Sequence, residues 1–382
     1  MSASLPLRGV RVIELCWVWS GPLLGQLLAD LGAEVIKIEW FKRYDLYRTR
    51  GVERLEGKYP EELRREMSQS FHGLNRNKIG VTLDLKDDDH RDSMLELVKK
   101  SDIVIENFTV GTLERLGIGF DTLIAANPKI LLLSLAGFGA TSMLANMRAY
   151  GLALSSLSGL EAGVVDSRDG SFLGSPTFVS SDPNAASYGL LTAIAAILDV
   201  RCCGKGAHVE LSQLEAAGHV GAEDDESLIE LAKELGLDPK LPSSSTDIVS
   251  TGDGQHLCIE WQGRFGLHAF QLLTKMAGSQ TADEALIAFE RAGARGVRVI
   301  EKPAEFGAGS ANEGTLIPTI HPVSGPENIV AAPWWIDGRR PLLRKTAPTL
   351  GEGNAYVLGK LLGWPYHRYA SLGQNLANKG ER

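Results

Sequence analysis

An Asp-Pro pair in front of a long apolar helix is the feature of the sequence best suited to chemistry. Asp182 and Pro183 stand in SSDPNAASYG, directly before the apolar run LLTAIAAIL. An aspartate at the N-cap with a proline at the first helical position is a common way to begin a helix, so capping alone explains the pair. The same position also keeps a carboxylate ionised and preorganised as a nucleophile, because it faces free N–H groups and the helix dipole. Asp182 is therefore our candidate catalytic residue, and the two roles are compatible.

A second polar group follows an apolar strand. Asn107 stands in IVIENFTVGTLERLG where the strand gives way to a loop, and Arg115 lies further along the same block. Asparagine is common in turns after strands, whereas Arg115 is equally compatible with a helix surface and with an anion contact. Both interpretations of each residue stay open at this point.

Motifs of several enzyme classes are absent from the sequence. The first strand, VIEL, is followed by CWVWSGP, which has neither G-x-G-x-x-G nor the P-loop pattern and so argues against NAD or ATP. The motifs G-x-S-x-G and H-E-x-x-H are missing as well. The four cysteines, Cys16, Cys202, Cys203 and Cys258, are too irregular for a disulfide framework or a zinc site. We expect no metal, and a reduced, cytoplasmic protein.

Composition limits the class of partner. The chain has 382 residues, 44% hydrophobic and 23% charged, which is typical of a globular enzyme about two domains long. Its 39 Lys and Arg against 47 Asp and Glu give a net charge of −8, the opposite of the balance in nucleic-acid-binding proteins. No apolar run reaches the roughly 18 residues that span a bilayer, and the N-terminus does not resemble a signal peptide. We therefore expect neither nucleic acid nor a membrane as partner.

The elements that position these residues alternate between strand and helix. Short branched runs such as VRVIEL, VIKIE, GVTLDL and DIVIENF are separated by helical patterns, which predicts βαβ units and a parallel sheet. Reactive groups of such sheets collect where strands end and helices begin. The strand ends to consider are Cys16 to Gly21, Glu39 to Arg43, Glu106 to Gly111 and Ala136 to Gly139. The helix over 184–198 is apolar on every side, which predicts burial nearly all round.

The pattern changes near residue 240. STDIVSTGDGQHLCIEW predicts a β-hairpin with its turn at 252–254, and two amphipathic helices follow it. The sequence thus predicts an α/β fold with a large Rossmann-like domain over 1–224, a smaller α+β domain over 225–325, and a C-terminal return to the large domain over 326–382. The segment 41–70, dense in charge and tyrosine, is either solvated surface or a basic surface for an anionic ligand.

Ordered blocks of the sequence resemble a known family. LRGVRVIEL, LADLGAEVIKIE, LNRNKIGVTLDLK, IVIENFTVGTLERLG and GKGAHVELSQLEA, with the Asp182 block before the last, are similar to the class III CoA-transferases. This CaiB/BaiF-like family includes the formyl-CoA and carnitine CoA-transferases and the α-methylacyl-CoA racemases. The resemblance implies an interlocked dimer, either a homodimer or a heteromer with a paralogous subunit. It also implies coenzyme A transfer from an acyl-CoA donor to a carboxylic acid.

The resemblance gives each candidate residue a role. Asp182 occupies the position of the nucleophile that attacks the thioester, forming first an aspartyl-acyl anhydride and then an aspartyl-CoA thioester. The implied coenzyme A contacts come from the loop after the first strand, the E-N-F block and a basic position before a later helix. They are Trp17, Val18, Trp19, Ser20, Asn107, Phe108, Thr112, Arg115, Leu116 and Arg148.

Departures from the family pattern leave alternatives open. Trp19 stands where the formyl-CoA enzymes have glutamine, while Trp40 and Ala136 replace basic residues, which argues against a formyl/oxalate pair and favours a bulkier or more apolar acyl group. The lost basic contacts also motivate a second function, a coenzyme A-binding partner subunit of a heteromeric transferase. A 2-methylacyl-CoA racemase or epimerase is less favoured, because Tyr150 and Gly151 replace its His and Asp and tyrosine is a poor base near neutrality.

Overall fold

The computed structural model describes residues 5–161, 171, 180–218, 244–262, 267–299, 314–370 and 372. The chain divides into two compact units, one of Met1–Ala222 with Gly314–Arg382 and the other of Glu223–Glu313. The return to the first unit thus begins at Gly314. The predicted smaller domain ran to residue 325, so it included residues 314–325, which belong to the first unit.

The first unit is built on a parallel sheet of six strands in the order β3-β2-β1-β4-β5-β6. The strands are β1 (Arg11–Leu15), β2 (Glu34–Glu39), β3 (Ile79–Thr82), β4 (Ile103–Glu106), β5 (Leu131–Ala136) and β6 (Ala207–Ser212). This is the strand order of the Rossmann fold, in which the chain reverses its direction of growth between β1 and β4. The predicted Rossmann-like fold is confirmed.

Helices cover both faces of this sheet. They are α1 (Ser20–Asp30), α2 (Glu61–Arg64), α3 (Gln69–Asn75), α4 (Asp88–Val98), α5 (Thr112–Arg115), α6 (Phe120–Ala126), α7 (Gly151–Leu157), α8 (Ser181–Cys203) and α9 (Gln213–Gly218). Successive strand residues point to opposite faces, so Val12 packs with Leu24 of α1 while Ile13 packs with Leu97 of α4. Burial on both faces explains why these strands are continuously apolar.

Helix α8 is buried on one side only. Ala186, Ala193 and Ile197 pack against the sheet, but Leu191 and Leu198 are 66% and 57% exposed. The prediction of burial all round is therefore wrong for this chain, because a helix that lies on a sheet has a neighbouring layer on one side.

The same helix corrects an expectation about membranes. Among the described residues, α8 alone has the length and composition to cross a bilayer, with 23 residues and a mean hydropathy of 1.4 in its most apolar window. The expectation that no apolar run is long enough to span a bilayer is thus wrong for α8. One side of α8 packs against the sheet, and 22% of this window is buried.

The second unit is a small α+β fold. Strands β7 (Ser244–Ser250) and β8 (His256–Gln262) form the predicted antiparallel hairpin, and β9 (Arg295–Arg298) pairs with β8. Two helices, α10 (Leu267–Ala277) and α11 (Ala282–Arg291), pack on this sheet. Thr281 and Glu284 form a capping box at the start of α11, one of the two amphipathic helices that the sequence predicts.

The C-terminal return contributes further elements to the first unit. Strands β10 (Leu316–His321) and β11 (Gly325–Val330) form an antiparallel hairpin that contains Pro318 and Pro326. A π-helix at Ala355–Leu361 and α12 (Tyr366–Ala370) follow it. Val357 and Leu358 of the π-helix are buried in the same core as Ile13, so the chain end completes one face of the sheet.

Candidate active site

The loop after β1 lies at the turning point of the sheet. Strand β1 pairs with β2 on one side and β4 on the other, so residues 16–19 emerge where the two halves of the sheet diverge. Ligands of open α/β sheets bind in the crevice at this position. Trp17, Val18 and Trp19 are half-buried here, and Ser20 begins α1. Val18 has a φ of +73°, which is unusual for a β-branched residue.

Asn107 ties this loop to the end of β4. Its Oδ1 accepts the Trp17 N–H at 2.9 Å, and its Nδ2 donates to the Trp17 carbonyl at 2.8 Å and to the Ser20 hydroxyl at 3.4 Å. Phe108 meets the Trp17 ring edge to face, with 5.6 Å between ring centroids. Asn107 is therefore more than a turn residue, because it fixes the backbone of the β1 loop.

Asp182 lies in the first turn of α8 but does not cap it. The N-cap is Ser180, and no side-chain hydrogen bond caps the helix, so the N-cap assignment of Asp182 is wrong. The Asp182 Oδ1 accepts the backbone N–H of Ser20 at 3.3 Å instead. Burial raises the pKa of the Asp182 carboxyl, while the hydrogen bonds from Ser20 lower it. The carboxylate thus sits at the N-termini of both α1 and α8.

The other candidate residues lie on α5 and in the segment before α7. Arg115 of α5 is exposed, and its guanidinium donates to the Thr112 hydroxyl at 2.8 Å, while Leu116 packs against the core. Arg148 is exposed in the segment leading to α7, whose first residue, Gly151, accepts a hydrogen bond from the Ser181 hydroxyl at 2.9 Å. Within the described residues, no hydrogen bond links Arg115 or Arg148 to Asp182.

A buried ion-pair cluster beside the loop escaped the sequence analysis. The Lys37 Nζ lies 2.9 Å from Glu14 and 3.0 Å from Asp45, and it donates to the Cys16 carbonyl at 2.7 Å. Lys78 contacts the second oxygen of Glu14 at 2.8 Å, and all four charged side chains are fully buried. Burial lowers the pKa of Lys78 to about 8, even though Glu14 opposes this shift.

The charged segment 41–70 contributes Asp45 to this cluster, and its Arg48 and Glu66 form a second group of buried ion pairs with Glu39. Arg48 is fully buried and binds Glu39 at 2.8 Å and Glu66 at 2.7 Å, with its guanidinium over the Phe71 ring. Burial by itself raises the pKa of Glu39, but Arg48 holds it at about 2. This part of the segment is thus neither solvated surface nor a free basic surface, because Arg48 is neutralised inside the fold.

Two signals in the sequence point to this cluster. Glu14 and Lys37 are opposite charges in adjacent buried strands, and they pair in register. Gly25 of α1 leaves room for the acid, since a Cβ there would lie 1.8 Å from the Glu14 Oε2. Among the residues described, no group of three His, Cys, Asp or Glu side chains could hold a metal ion.

Comparison with known sequences identifies the family. The model of CoA-transferase family III matches residues 7–264. Succinate–glutarate CoA-transferase of Agrobacterium fabrum is 32% identical over 251 residues, which cover 65% of this chain and 62% of that protein. Acetyl-CoA:oxalate CoA-transferase of Acetobacter aceti is 35% identical over 216 residues, which cover 55% of this chain and 51% of that protein. The aligned part thus spans less than two thirds of either relative.

Solved structures share the fold. A CaiB/BaiF family protein from Brucella suis superposes with a TM-score of 0.75 at 23% identity, covering 93% of this chain and 99% of that one. A hypothetical protein from Mycobacterium tuberculosis gives a TM-score of 0.69 at 22% identity, covering 92% and 98%. The family model covers well over half of the chain, and these structures agree with it in fold. The chain belongs to CoA-transferase family III.

Proposed function

We propose that the protein transfers coenzyme A from an acyl-CoA donor to a carboxylic acid, with Asp182 as the nucleophile. The observation that carries this proposal is the Asp182 carboxylate, held by the Ser20 N–H at the turning point of the sheet. Relatives named succinate–glutarate CoA-transferase and acetyl-CoA:oxalate CoA-transferase support the reaction class. Family membership supports acyl-CoA as the substrate.

In the proposed reaction Asp182 is covalently modified in turn as an anhydride, a coenzyme A thioester and a second anhydride. A carboxylate oxygen attacks the thioester carbonyl, the C–S bond breaks, and the coenzyme A thiolate leaves an aspartyl-acyl anhydride behind. The thiolate then attacks the aspartyl carbonyl, which releases the donor acid and leaves an aspartyl-CoA thioester. The acceptor carboxylate reverses these two steps and restores Asp182. Each step exchanges one activated acyl bond for another, so positioning is the main task of the protein.

The surroundings of Asp182 suit a nucleophile. Partial burial strips water from the carboxylate and raises its pKa, which makes the ionised form more reactive. The Ser20 N–H and the positive ends of α1 and α8 oppose protonation and so favour the charged form of the carboxylate. The same N–H groups can stabilise negative charge that develops on the attacked carbonyl.

We further propose that the loop and helix residues named from the family resemblance bind coenzyme A. Trp17, Val18, Trp19 and Ser20 form one wall, and Asn107 and Phe108 hold its base. The exposed Arg115 and Arg148 would meet the phosphates, to which guanidinium groups bind through paired N–H donors. Thr112 orients Arg115, and Leu116 anchors α5 to the core. The oligomer we propose is an interlocked homodimer.

A transfer assay tests this proposal. The purified chain is incubated with acetyl-CoA or succinyl-CoA and a panel of carboxylic acids, and new acyl-CoA products are identified by liquid chromatography and mass spectrometry. We expect acid-dependent product from the wild type and none from Asp182→Asn. Product formation by Asp182→Asn at the wild-type rate would refute the covalent route.

A second candidate function is a coenzyme A-binding partner subunit of a heteromeric transferase. Trp40 stands where relatives carry a basic residue, and its ring packs against His90 and Phe41 rather than presenting a charge. Ala136, the other basic position lost, is 7% exposed at the end of β5. This candidate predicts no transfer by the purified chain alone and recovery of activity when a paralogue is co-expressed.

A further inference from the structure

We propose that Asp45 is a positioning residue for the reaction at Asp182. Its buried carboxylate fixes the shape of the β1 loop, and that shape presents the Ser20 N–H to the nucleophile. This inference rests on the proposed function of Asp182 and adds a residue that never touches the substrate.

The Asp45 carboxylate is held on several sides. It is fully buried, and its Oδ1 accepts the N–H groups of Val18 at 2.9 Å and of Tyr47 at 3.0 Å. Its other oxygen lies 3.0 Å from the Lys37 Nζ, and its own backbone N–H donates to Glu39 at 3.0 Å. With these partners around it, the carboxylate is a rigid acceptor for the loop.

The loop needs such an acceptor because its backbone is strained. Val18 has a φ of +73°, a region that side chains branched at Cβ avoid unless the surroundings impose it. Buried or half-buried side chains hold the two successive peptide units that link Cys16, Trp17 and Val18. Lys37 binds the Cys16 carbonyl, Asn107 binds both polar groups of Trp17, and Asp45 binds the Val18 N–H. The next loop contact in the chain is Ser20 with Asp182.

Removal of the Asp45 carboxylate would release the strained backbone at Val18. The Val18 N–H would lose its partner, and the residue would relax toward negative φ, which moves the Ser20 N–H away from Asp182. Lys37 would keep its ion pair with Glu14, so the strands beneath the loop would stay in register. We therefore expect Asp45→Ala to slow acylation of Asp182 while leaving remote coenzyme A contacts in place.

The test measures the acylation rate of Asp182 in single turnovers with acetyl-CoA and with succinyl-CoA. Quenched samples are treated with hydroxylamine, and the modified residue is located by peptide mass spectrometry. We expect Asp45→Ala to lower the rate at saturating acyl-CoA at least about tenfold. Adding Val18→Gly should restore much of the rate, because glycine adopts positive φ without support. Asp30→Ala is the matched control, since Asp30 is an equally buried carboxylate that binds Arg76 at the far end of α1.

Because Asp45→Ala also removes a buried ion-pair partner of Lys37, Val18→Pro provides an independent test. Proline fixes φ near −65° and cannot form this turn, yet it leaves the ion-pair cluster intact. Wild-type acylation rates in folded Asp45→Ala or Val18→Pro would overturn the inference, as would an equal loss in Asp30→Ala. Absence of any label at Asp182 in the wild type would instead refute the proposed function on which the inference rests.

Discussion

The Asp182 carboxylate accepts a hydrogen bond from the Ser20 N–H at 3.3 Å, although 162 residues separate them in the chain. This contact joins the first turns of α1 and α8, so two helix N-termini converge on one acid. The carboxylate is therefore available to a ligand instead of being occupied by its own helix.

The stability of Asp182 variants should show that the carboxylate is not a cap. Burial raises the pKa of Asp182 in the folded state above its unfolded value, so the folded protein binds more protons and loses stability as pH rises through that window. We expect Asp182→Asn and Asp182→Ala to unfold at pH 7 with a free energy no lower than that of the wild type, measured in urea. Asp87→Ala is the control, because Asp87 caps α4 with two hydrogen bonds and should cost about 1 kcal/mol. A loss of unfolding free energy in Asp182→Ala as large as that in Asp87→Ala would contradict this account.

Substitution of the two exposed arginines should separate binding from chemistry. Phosphate contacts remote from the thioester stabilise ground and transition states alike, so Arg115→Ala and Arg148→Ala should raise the KM for acyl-CoA more than they lower kcat. Steady-state kinetics at varied acyl-CoA concentration measures both effects. Arg201→Ala, at the exposed C-terminal end of α8, is the control and should change neither constant. An unchanged KM in both test variants would show that the phosphates bind elsewhere.

Asn107→Ala should impair stability and turnover together. It removes hydrogen bonds from both polar groups of Trp17, which costs about 1–3 kcal/mol if they are left unpaired, and it frees the β1 loop. Asn127→Ala removes two comparable side-chain hydrogen bonds, to Val98 and Ser101, at a distance from the loop. We expect the free energy of unfolding, measured in urea, to fall in both variants and kcat to fall only in Asn107→Ala. Equal kcat losses would argue against a special role for Asn107.

Trp19→Gln should change acyl preference. The Trp19 side chain is half-buried beside a small apolar cluster of Tyr47, Phe71 and Ala347, so part of its surface is packed and part is exposed. We expect the smaller polar side chain to favour small polar acyl groups and to raise hydrolysis of acyl-CoA, because water would reach the proposed anhydride more easily. Competition between acyl-CoA donors and free coenzyme A release measure these effects. Unfolding of the variant with unchanged preference would make Trp19 a packing residue only.

His321 should make the fold sensitive to acid. Burial and the stacked His72 ring lower the pKa of His321 to about 4, so the unfolded chain binds more protons than the folded one between about pH 4 and 6.5. Stability therefore falls as pH drops through this range. His321→Asn keeps an acceptor for the Val323 and Ser324 N–H groups but does not titrate, so its urea midpoint should fall less. An identical pH slope in the variant would show that other groups dominate acid unfolding.

The sequence predicts the sheet and the neighbourhood of the site because both depend on local patterns. Apolar runs and the polar residues at their ends located the β1 loop, Asn107 and Asp182. The polar interior could not be inferred in the same way. Arg48 belongs to a charged surface-like segment, and its burial depends on Glu39 and Glu66, which come from different parts of the chain.

The cap of α8 was misassigned for a similar reason. Asp-Pro is a strong local start signal, yet Ser180 occupies the N-cap position and the aspartate accepts a tertiary hydrogen bond from Ser20. The exposed side of α8 likewise follows from the number of layers around the helix, which composition does not specify. Local sequence patterns thus point to the candidate nucleophile, whereas long-range contacts decide what that residue binds.

The central claim is that Asp182 becomes covalently acylated, and intact-protein mass spectrometry tests it most directly. The chain is incubated with acetyl-CoA or succinyl-CoA without an acceptor, and the reaction is quenched. The mass of the intact protein is measured before and after treatment with hydroxylamine. Our account predicts a mass increase equal to the acyl group or to coenzyme A, conversion by hydroxylamine to a hydroxamate mapped to Asp182, and no increase in Asp182→Asn. Acid-dependent coenzyme A transfer with no adduct at Asp182, or with the same adduct in Asp182→Asn, would contradict it.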